Sequence, residues 1–228
     1  MGIKVIGFDA DDTLWVNENY FREAEAQFCE LLSQYSSKED TMSKLYDNEM
    51  DTLEIYGFGI KGFMLSMIET ASQILNANLS HEIIDKILAI GKDMLNKPVE
   101  LISDVESTLQ AAQEKCKVIL VTKGDLLDQE RKLEKSGLTH YFHHIEVMSN
   151  KHESDYLSLI KHLDIEPHEF MMVGNSLRSD ILPVTKIGGK AIYVPYDLTW
   201  QHETVDSHDL HAVEYTTVSK LSEVLIHI

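Results

Sequence analysis

The chain opens on a short apolar run in which Ile3, Val5, Ile6 and Phe8 surround Lys4 and Gly7, and the run stops at Asp9. A run of this length that does not alternate predicts a strand buried on both faces. Beyond it the period becomes helical. Phe21, Ala24, Phe28, Leu31 and Tyr35 trace one stripe, and Phe63, Met67, Ile68, Ala71 and Leu75 trace another. Ser37 and Ser80 stand where N-caps are expected, the latter ahead of Ile84, Ile87 and Leu88. No proline falls between 17 and 97 and no strand pattern interrupts the stretch, so a small bundle of four helices is predicted there. Its one glycine cluster, Tyr56–Gly62, reads either as an inter-helix turn or as a loop presenting Lys61 and aromatic rings to a ligand.

From Pro98 the pattern alternates between strand and helix. Ser103 to Glu106 has the form of a capping box, opening a helix with Val105, Leu109 and Ala112 on one face. Strands are expected at 117–121, 145–148, 170–173 and 191–194. Helices are expected at 125–135, 154–163, 177–187 (with Pro183 as a kink) and 218–226. Repeated strand–helix units imply a parallel sheet with helices on both faces. The predicted fold is therefore α/β: a Rossmann-like parallel-sheet core at 1–16 and 98–228, with an inserted α-helical domain at 17–97.

Composition narrows the function classes. Acids outnumber bases 38 to 20, a net charge of −18, which argues against a broad nucleic-acid surface. The two cysteines, Cys29 and Cys116, form no Cys-x-x-Cys pair and read as small buried hydrophobes. No apolar stretch approaches the roughly 20 residues of a membrane helix, and acids interrupt the only apolar run near the amino terminus. A soluble cytoplasmic protein is expected. Among the histidines, His143, His144, His202, His208 and His211 lack His-x-x-x-His spacing and read as surface or loop residues.

The chemistry is concentrated where strands end. Asp9 and Asp11 follow the first strand, at the end of a parallel sheet where ligands bind, and Thr13 stands two residues further on. Two residues apart, the acids point the same way if the chain stays extended, and two such charges need a cation or a shared proton. An acidic helix start capped by Asp12 or Thr13 is the simpler alternative. After the second strand come Thr122 and Gly124, with Lys123 between them; the threonine and glycine suit a phosphate held at a helix N-terminus, and an ordinary N-cap is the simpler alternative. Lys151 follows the third strand. Gly174, Asn175 and Ser176 follow the fourth, with Asp180 beyond, and Asn175 and Asp180 are oxygen donors of the kind Mg²⁺ takes.

This ordered set, Asp-x-Asp-x-Thr, a strand-end threonine, a lysine, then Gly-Asn-Ser with a later aspartate, resembles the haloacid dehalogenase-like hydrolase superfamily. The likeness covers the core, and the insertion resembles that superfamily's α-helical cap of the first type. The resemblance implies that Asp9 is a nucleophile forming an aspartyl-phosphate. It implies that Asp11 protonates the leaving group, then activates water, and offers its backbone carbonyl to Mg²⁺. Thr122 and Lys151 hold the phosphate, while Asp180 with Asn175 completes the metal site. Thr13, Lys61, Lys123 and Gly124 are expected to bind substrate. Dehalogenases and phosphonate-cleaving members lack the second acid, so Asp11 favours a phosphate ester or anhydride. Asn175 stands where aspartate is common, which leaves open whether it ligates the metal directly, and Lys123 stands where asparagine is common. The expected protein is a Mg²⁺-dependent phosphatase of a small phosphorylated metabolite, a monomer or homodimer. Its alternatives are a phosphotransferase such as a sugar-phosphate mutase and a catalytically silent binding module.

Overall fold

The computed structural model describes residues 2–206 and 213–228, so His208 and His211 lie outside the described residues. Strands β1 (Val5–Phe8), β2 (Lys117–Lys123), β3 (His144–Met148), β4 (Phe170–Gly174), β5 (Lys190–Tyr193) and β6 (Thr216–Thr217) form one sheet in the order β3-β2-β1-β4-β5-β6. Every pairing is parallel. The chain leaves β1 for β2 on one side and later returns to lay β4 on the other. Strand order therefore reverses at β1, and the carboxyl ends of β1 and β4 flank the crevice that such a reversal creates. The two-residue β6 was not foreseen, because Thr216 and Thr217 carry no apolar run.

Why the strands read as unbroken apolar runs is visible in how they share their side chains. Ile6, Phe8, Val118, Leu120, Met171 and Val173 enter one core cluster, with Val105, Leu109 and Ala112 of α5 (Val105–Gln113) and Leu133 of α6 (Leu126–Ser136). The alternate positions Val5, Ile119, Val121, Phe170 and Met172 enter a second cluster. There they meet Tyr156, Leu159 and Ile160 of α7 (Glu153–His162) and Val184 of α8 (Leu182–Lys186). The period of two is present, but both faces are covered.

Between β1 and β2 lie α1 (Glu18–Leu32), α2 (Lys38–Tyr56), α3 (Ile60–Leu75) and α4 (His81–Asn96). Contacts divide the chain into two compact units. The first runs to Glu18 and continues through Val99–Lys123 and Gln129–Ile228; the second holds Asn19–Pro98 and Gly124–Asp128. The second unit has its own core, in which Phe28, Met67, Ala71 and Ile87 are fully buried. Ser37 and Ser80 cap α2 and α4 by accepting from Asp40 N and Ile83 N. The ends of the insertion are tied to each other: Tyr20 Oη donates to Pro98 O at 3.2 Å, and Lys97 pairs with Glu23 at 2.9 Å. Among the described residues no helix is long and apolar enough to cross a membrane.

Several local expectations are corrected. The buried stripe of α4 is Ile83, Ile87, Ile90 and Met94, so Ile84 and Leu88 sit at its margin rather than at its centre. Tyr35 lies beyond the end of α1 and is exposed. Only Gly57–Gly59 is loop, and Lys61 and Gly62 belong to the first turn of α3. The expected capping box at Ser103 does not form. The N-cap of α5 is Asp104, whose left-handed backbone (φ 66°) turns its side chain away, and its carboxylate accepts from Ser222 instead. The expected kinked helix at 177–187 is a wide π-type turn, Leu177–Ile181, followed by α8. Pro183 falls in the first turn of α8, where a missing N–H costs nothing. The closing helix is a 3-10 helix confined to Leu221–Ile226. Cys29 is buried and Cys116 only partly so.

The shifted stripe is testable. Ile87→Ala should destabilise the protein by about 2–5 kcal/mol in urea unfolding, the usual cost of emptying a fully buried aliphatic site. Leu88→Ala should cost less than half as much, and equal losses would restore the stripe expected from the sequence.

Candidate active site

Each candidate residue is delivered by a strand end. Asp9 follows β1 directly, and its N–H donates to Val173 O at 2.8 Å, keeping it against β4. Lys151 lies just beyond β3 and is buried although its neighbours Asn150 and His152 are exposed. Asp180 arrives from the wide turn after β4, its Oδ2 accepting from Ser176 N at 3.0 Å. Gly174 is what admits it: a Cβ there would sit 2.2 Å from Asp180 Oδ2.

These residues make one buried charge cluster. The Lys151 ammonium donates to Asp9 Oδ1 at 2.5 Å and to Asp180 Oδ1 at 2.7 Å, with Lys151 and Asp180 only 4% and 1% exposed. Burial pushes the Asp9 carboxyl well above the usual carboxylate range, Lys151 opposes this, and Asp180 adds to it. Burial would lower the Lys151 pKa, yet the two carboxylates outweigh it and hold the group above its ordinary value. Thr13 Oγ1 lies 3.2 Å from Asp9 Oδ2 and 3.3 Å from Asn175 Oδ1, and it accepts from Asn175 N at 3.1 Å. Having one proton, it donates to one of the two oxygens at a time.

Asp11 belongs to a different cluster. The chain does not stay extended past Asp9: Leu14 N donates to Ala10 O at 2.8 Å, and Asp12 takes a left-handed backbone with φ 60°. The two acids therefore meet different partners. Asp11 Oδ1 accepts from Trp15 Nε1 at 2.7 Å and from Lys132 Nζ at 2.6 Å. Its Oδ2 accepts from Lys132 Nζ and from Gln129 Nε2, both at 2.9 Å. Burial would raise the Asp11 carboxyl, but Lys132 first, then Gln129 and Trp15, hold it below its ordinary value. Asp12 does cap the next helix, accepting from Asn17 N at 2.8 Å and Glu18 N at 3.0 Å.

The remaining candidates lie elsewhere. Lys123, expected to add positive charge toward a substrate, is paired with Glu203 and donates to Ser179 Oγ at 2.8 Å. Glu203 also accepts from Ser176 Oγ and from Ser179 Oγ, the latter at 2.7 Å. Thr122 is buried at the end of β2, where its hydroxyl makes a long 3.4 Å bond to Lys123 O. Gly124 has φ 132°, open to glycine alone in practice, and counts with the second unit. Lys61, in that same unit, pairs with Asp125 at 2.8 Å. The structure thus joins Asp9, Thr13, Lys151, Asn175 and Asp180 by direct hydrogen bonds, and it keeps Asp11, Lys123 and Lys61 in separate pairings. Trp15, Gln129, Lys132 and Glu203 were not foreseen. Gln129 and Lys132, three apart on the helix after β2, carried a weak signal; Glu203, far from any motif, carried none.

The donor chemistry fits a hard cation. Asp9 and Asp180 are two buried carboxylates sharing one ammonium, and the groups beside them are hydroxyl and amide oxygens. Among the described residues no three His, Cys, Asp or Glu side chains form a metal cage. Mg²⁺ does not need one, because it is held by one or two carboxylates and keeps its waters.

The haloacid dehalogenase-like hydrolase family matches residues 3–188. The chain belongs to that family. A haloacid dehalogenase-like hydrolase from Xanthomonas campestris is 40% identical and superposes with a TM-score of 0.87, covering 99% of this chain and 90% of its own. The HAD-hydrolase YfnB of Bacillus subtilis, whose crystal structure holds magnesium, is 16% identical with a TM-score of 0.65, over 98% of this chain and 97% of its own. A 2-haloacid dehalogenase from Pseudomonas syringae is also 16% identical, with a TM-score of 0.60 over 97% and 96% of the two chains. At that identity the last two establish the fold alone. No curated protein matches the chain. As in other haloacid dehalogenase-like hydrolases, a helical insertion follows the first strand.

The Glu203 pairing sets an acid limit on stability. Burial alone would raise its carboxyl, but Lys123 and the two serine hydroxyls hold its pKa at about 2, against an ordinary 4.5. A carboxyl lowered in the fold stabilises above its unfolded pKa and loses that contribution as pH falls through the folded one. Between pH 4.5 and 2 the protein should lose about 3 kcal/mol from this group, at roughly 1.4 kcal/mol per pH unit. Urea unfolding of Glu203→Gln should give lower stability at pH 7 and a flatter slope over that acid range.

Proposed function

We propose that the chain is a Mg²⁺-dependent phosphatase acting on a small phosphorylated metabolite. The observation that carries this reading is the presence of two acids held in opposite environments, Asp9 against Lys151 and Asp180, Asp11 against Lys132, Gln129 and Trp15. Two acids on separate partners can take separate roles, one as nucleophile and one as proton carrier. Displacing a halide needs no proton, whereas expelling an alkoxide from phosphorus does. A second acid beside the nucleophile therefore favours phosphate esters over haloacids.

In this reading Asp9 attacks phosphorus, the bond to the leaving oxygen breaks, and Asp11 gives that oxygen its proton. Asp11 then takes a proton from the water that hydrolyses the aspartyl-phosphate, which frees phosphate and restores Asp9. Lys151 offsets the charge gathered at Asp9, Asp180 and the phosphate, and Thr122 lends its hydroxyl to a phosphate oxygen. Mg²⁺, held by Asp9, Asp180 and the Asp11 carbonyl with Asn175 beside it, would neutralise charge as phosphorus is attacked. A phosphotransferase would use the same residues, and the product, free phosphate or a new ester, separates the two.

Phosphate release across a panel of phosphorylated metabolites with Mg²⁺ tests the proposal, and chelation should abolish it. Asp9→Asn should fall below about a hundredth of the wild-type rate, roughly 2.7 kcal/mol of barrier, while circular dichroism stays unchanged. A faster mutant would remove Asp9 as the nucleophile. Asn175→Asp adds an anion near Asp9 and Asp180. It should lower the Mg²⁺ concentration for half-maximal activity by about tenfold, ~1.4 kcal/mol, and raise KM for the phosphate ester. An unchanged Mg²⁺ requirement would place Asn175 beyond the metal's reach.

A further inference from the structure

We infer that Lys132 and Gln129 of α6 are positioning residues of the reaction, fixing the aim of the Asp11 carboxylate; the inference rests on the phosphatase reading above. Both oxygens of Asp11 are occupied from one side. Lys132 Nζ straddles them at 2.6 and 2.9 Å, Trp15 Nε1 holds Oδ1 at 2.7 Å, and Gln129 Nε2 holds Oδ2 at 2.9 Å. A carboxylate with donors on both oxygens has lost its freedom to rotate.

The holders are themselves fixed. Trp15 is fully buried in the core cluster, and Leu133, next to Lys132 on α6, packs into the same cluster. Gln129 and Lys132 stand three apart and so present their side chains on one face of the helix. Lys132 is also tied to Asn17 Oδ1 at 3.3 Å. Gln129 Nε2 bonds a second acceptor, Lys123 O at the end of β2, at 2.9 Å. That settles the amide's orientation, because the flipped amide would set its oxygen against two other oxygens.

The other half of the same amide shows what this arrangement costs. Gln129 Oε1 is buried and has no hydrogen-bond partner among the described residues. A buried acceptor left without a partner is costly and calls for an account. Here one end of the amide goes unpaired to keep the other on Asp11. Proton exchange rewards such fixing, since a misplacement of about 1 Å at a reacting group costs on the order of a hundredfold in rate. Asp9 lies two residues away with its own ammonium, so the α6 donors also keep the two anions on separate cations.

The test uses the full-length enzyme and the best ester from the panel. Lys132→Met keeps the aliphatic stem but removes two of the contacts to Asp11. It should lower kcat tenfold or more and leave KM within twofold, because Asp11's side chain does not hold the phosphate. Lys132→Arg, whose guanidinium spans two carboxylate oxygens, should recover most of the loss. Gln129→Met should lower kcat in the same sense, and Lys135→Met, exposed one turn on, should change nothing. Crystal structures of the wild type and Lys132→Met should differ in the direction of the Asp11 carboxylate. An unchanged kcat, a KM that rises in step with the loss, no recovery in Lys132→Arg, or an unmoved Asp11 would each overturn the inference. Should no ester be hydrolysed by the wild type, the phosphatase reading fails, and the position of Asp11 in the Lys132→Met crystal still decides whether Lys132 sets its aim.

Discussion

A buried ammonium between two buried carboxylates is the constraint on which the first unit depends. Lys151 is buried between Asp9 and Asp180, and a charge taken out of water in this way needs such partners. The three residues come from the ends of β1, β3 and β4, so the cluster forms only when those ends lie together. A parallel sheet whose strand order reverses at β1 brings them together. Removing Lys151 would leave two buried carboxylates facing each other, whereas removing the charge of Asp9 leaves Lys151 still paired with Asp180.

Charge in this protein is distributed by assignment rather than by excess. With a net charge of −18 the chain has acids to spare, and three lysines around the candidate site are matched to them: Lys151 has two carboxylates, Lys132 has Asp11, and Lys123 has Glu203. The pairing with Glu203 also ties the end of β2 to the turn after β4 through Ser176 and Ser179. That turn is the one that carries Asp180, so an ion pair with no place in the chemistry braces a residue that has one.

The fold was legible wherever a single segment carried its own pattern. Val5–Phe8 and Phe170–Gly174 announce buried strands by composition alone, and Ser37 and Ser80 announce helix starts because capping is local. Of the candidate residues, those the structure draws into one hydrogen-bonded cluster were read from the segments that follow strands: Asp9, Thr13, Lys151, Asn175 and Asp180. What escaped depends on partners distant in sequence. Asp104 takes the N-cap position expected of Ser103 while its carboxylate turns to distant Ser222, and Asp11 meets Gln129 and Lys132 only after α6 is packed on the sheet. Lys123 invited a phosphate-binding reading because Glu203, its partner 80 residues away, belongs to no motif. In α4 the expected Ile87 is at the centre of the buried stripe, while Ile83, Ile90 and Met94 replace Ile84 and Leu88 beside it, because the apolar band is wide enough to allow two stripes.

The tie between the ends of the insertion bears on how such a protein can be remodelled. Tyr20 and Pro98 hydrogen-bond, and Lys97 reaches Glu23, so some eighty residues of helical structure leave and rejoin the chain at neighbouring points. To the sheet, this insertion is equivalent to a short loop, and the entropy of closing it is met within the helical unit itself rather than by the strands. Helical modules of other sizes and surfaces can therefore be exchanged at that junction without altering the register of β1 against β2. The chemistry of the strand ends and the make-up of the helical unit are thereby free to evolve separately.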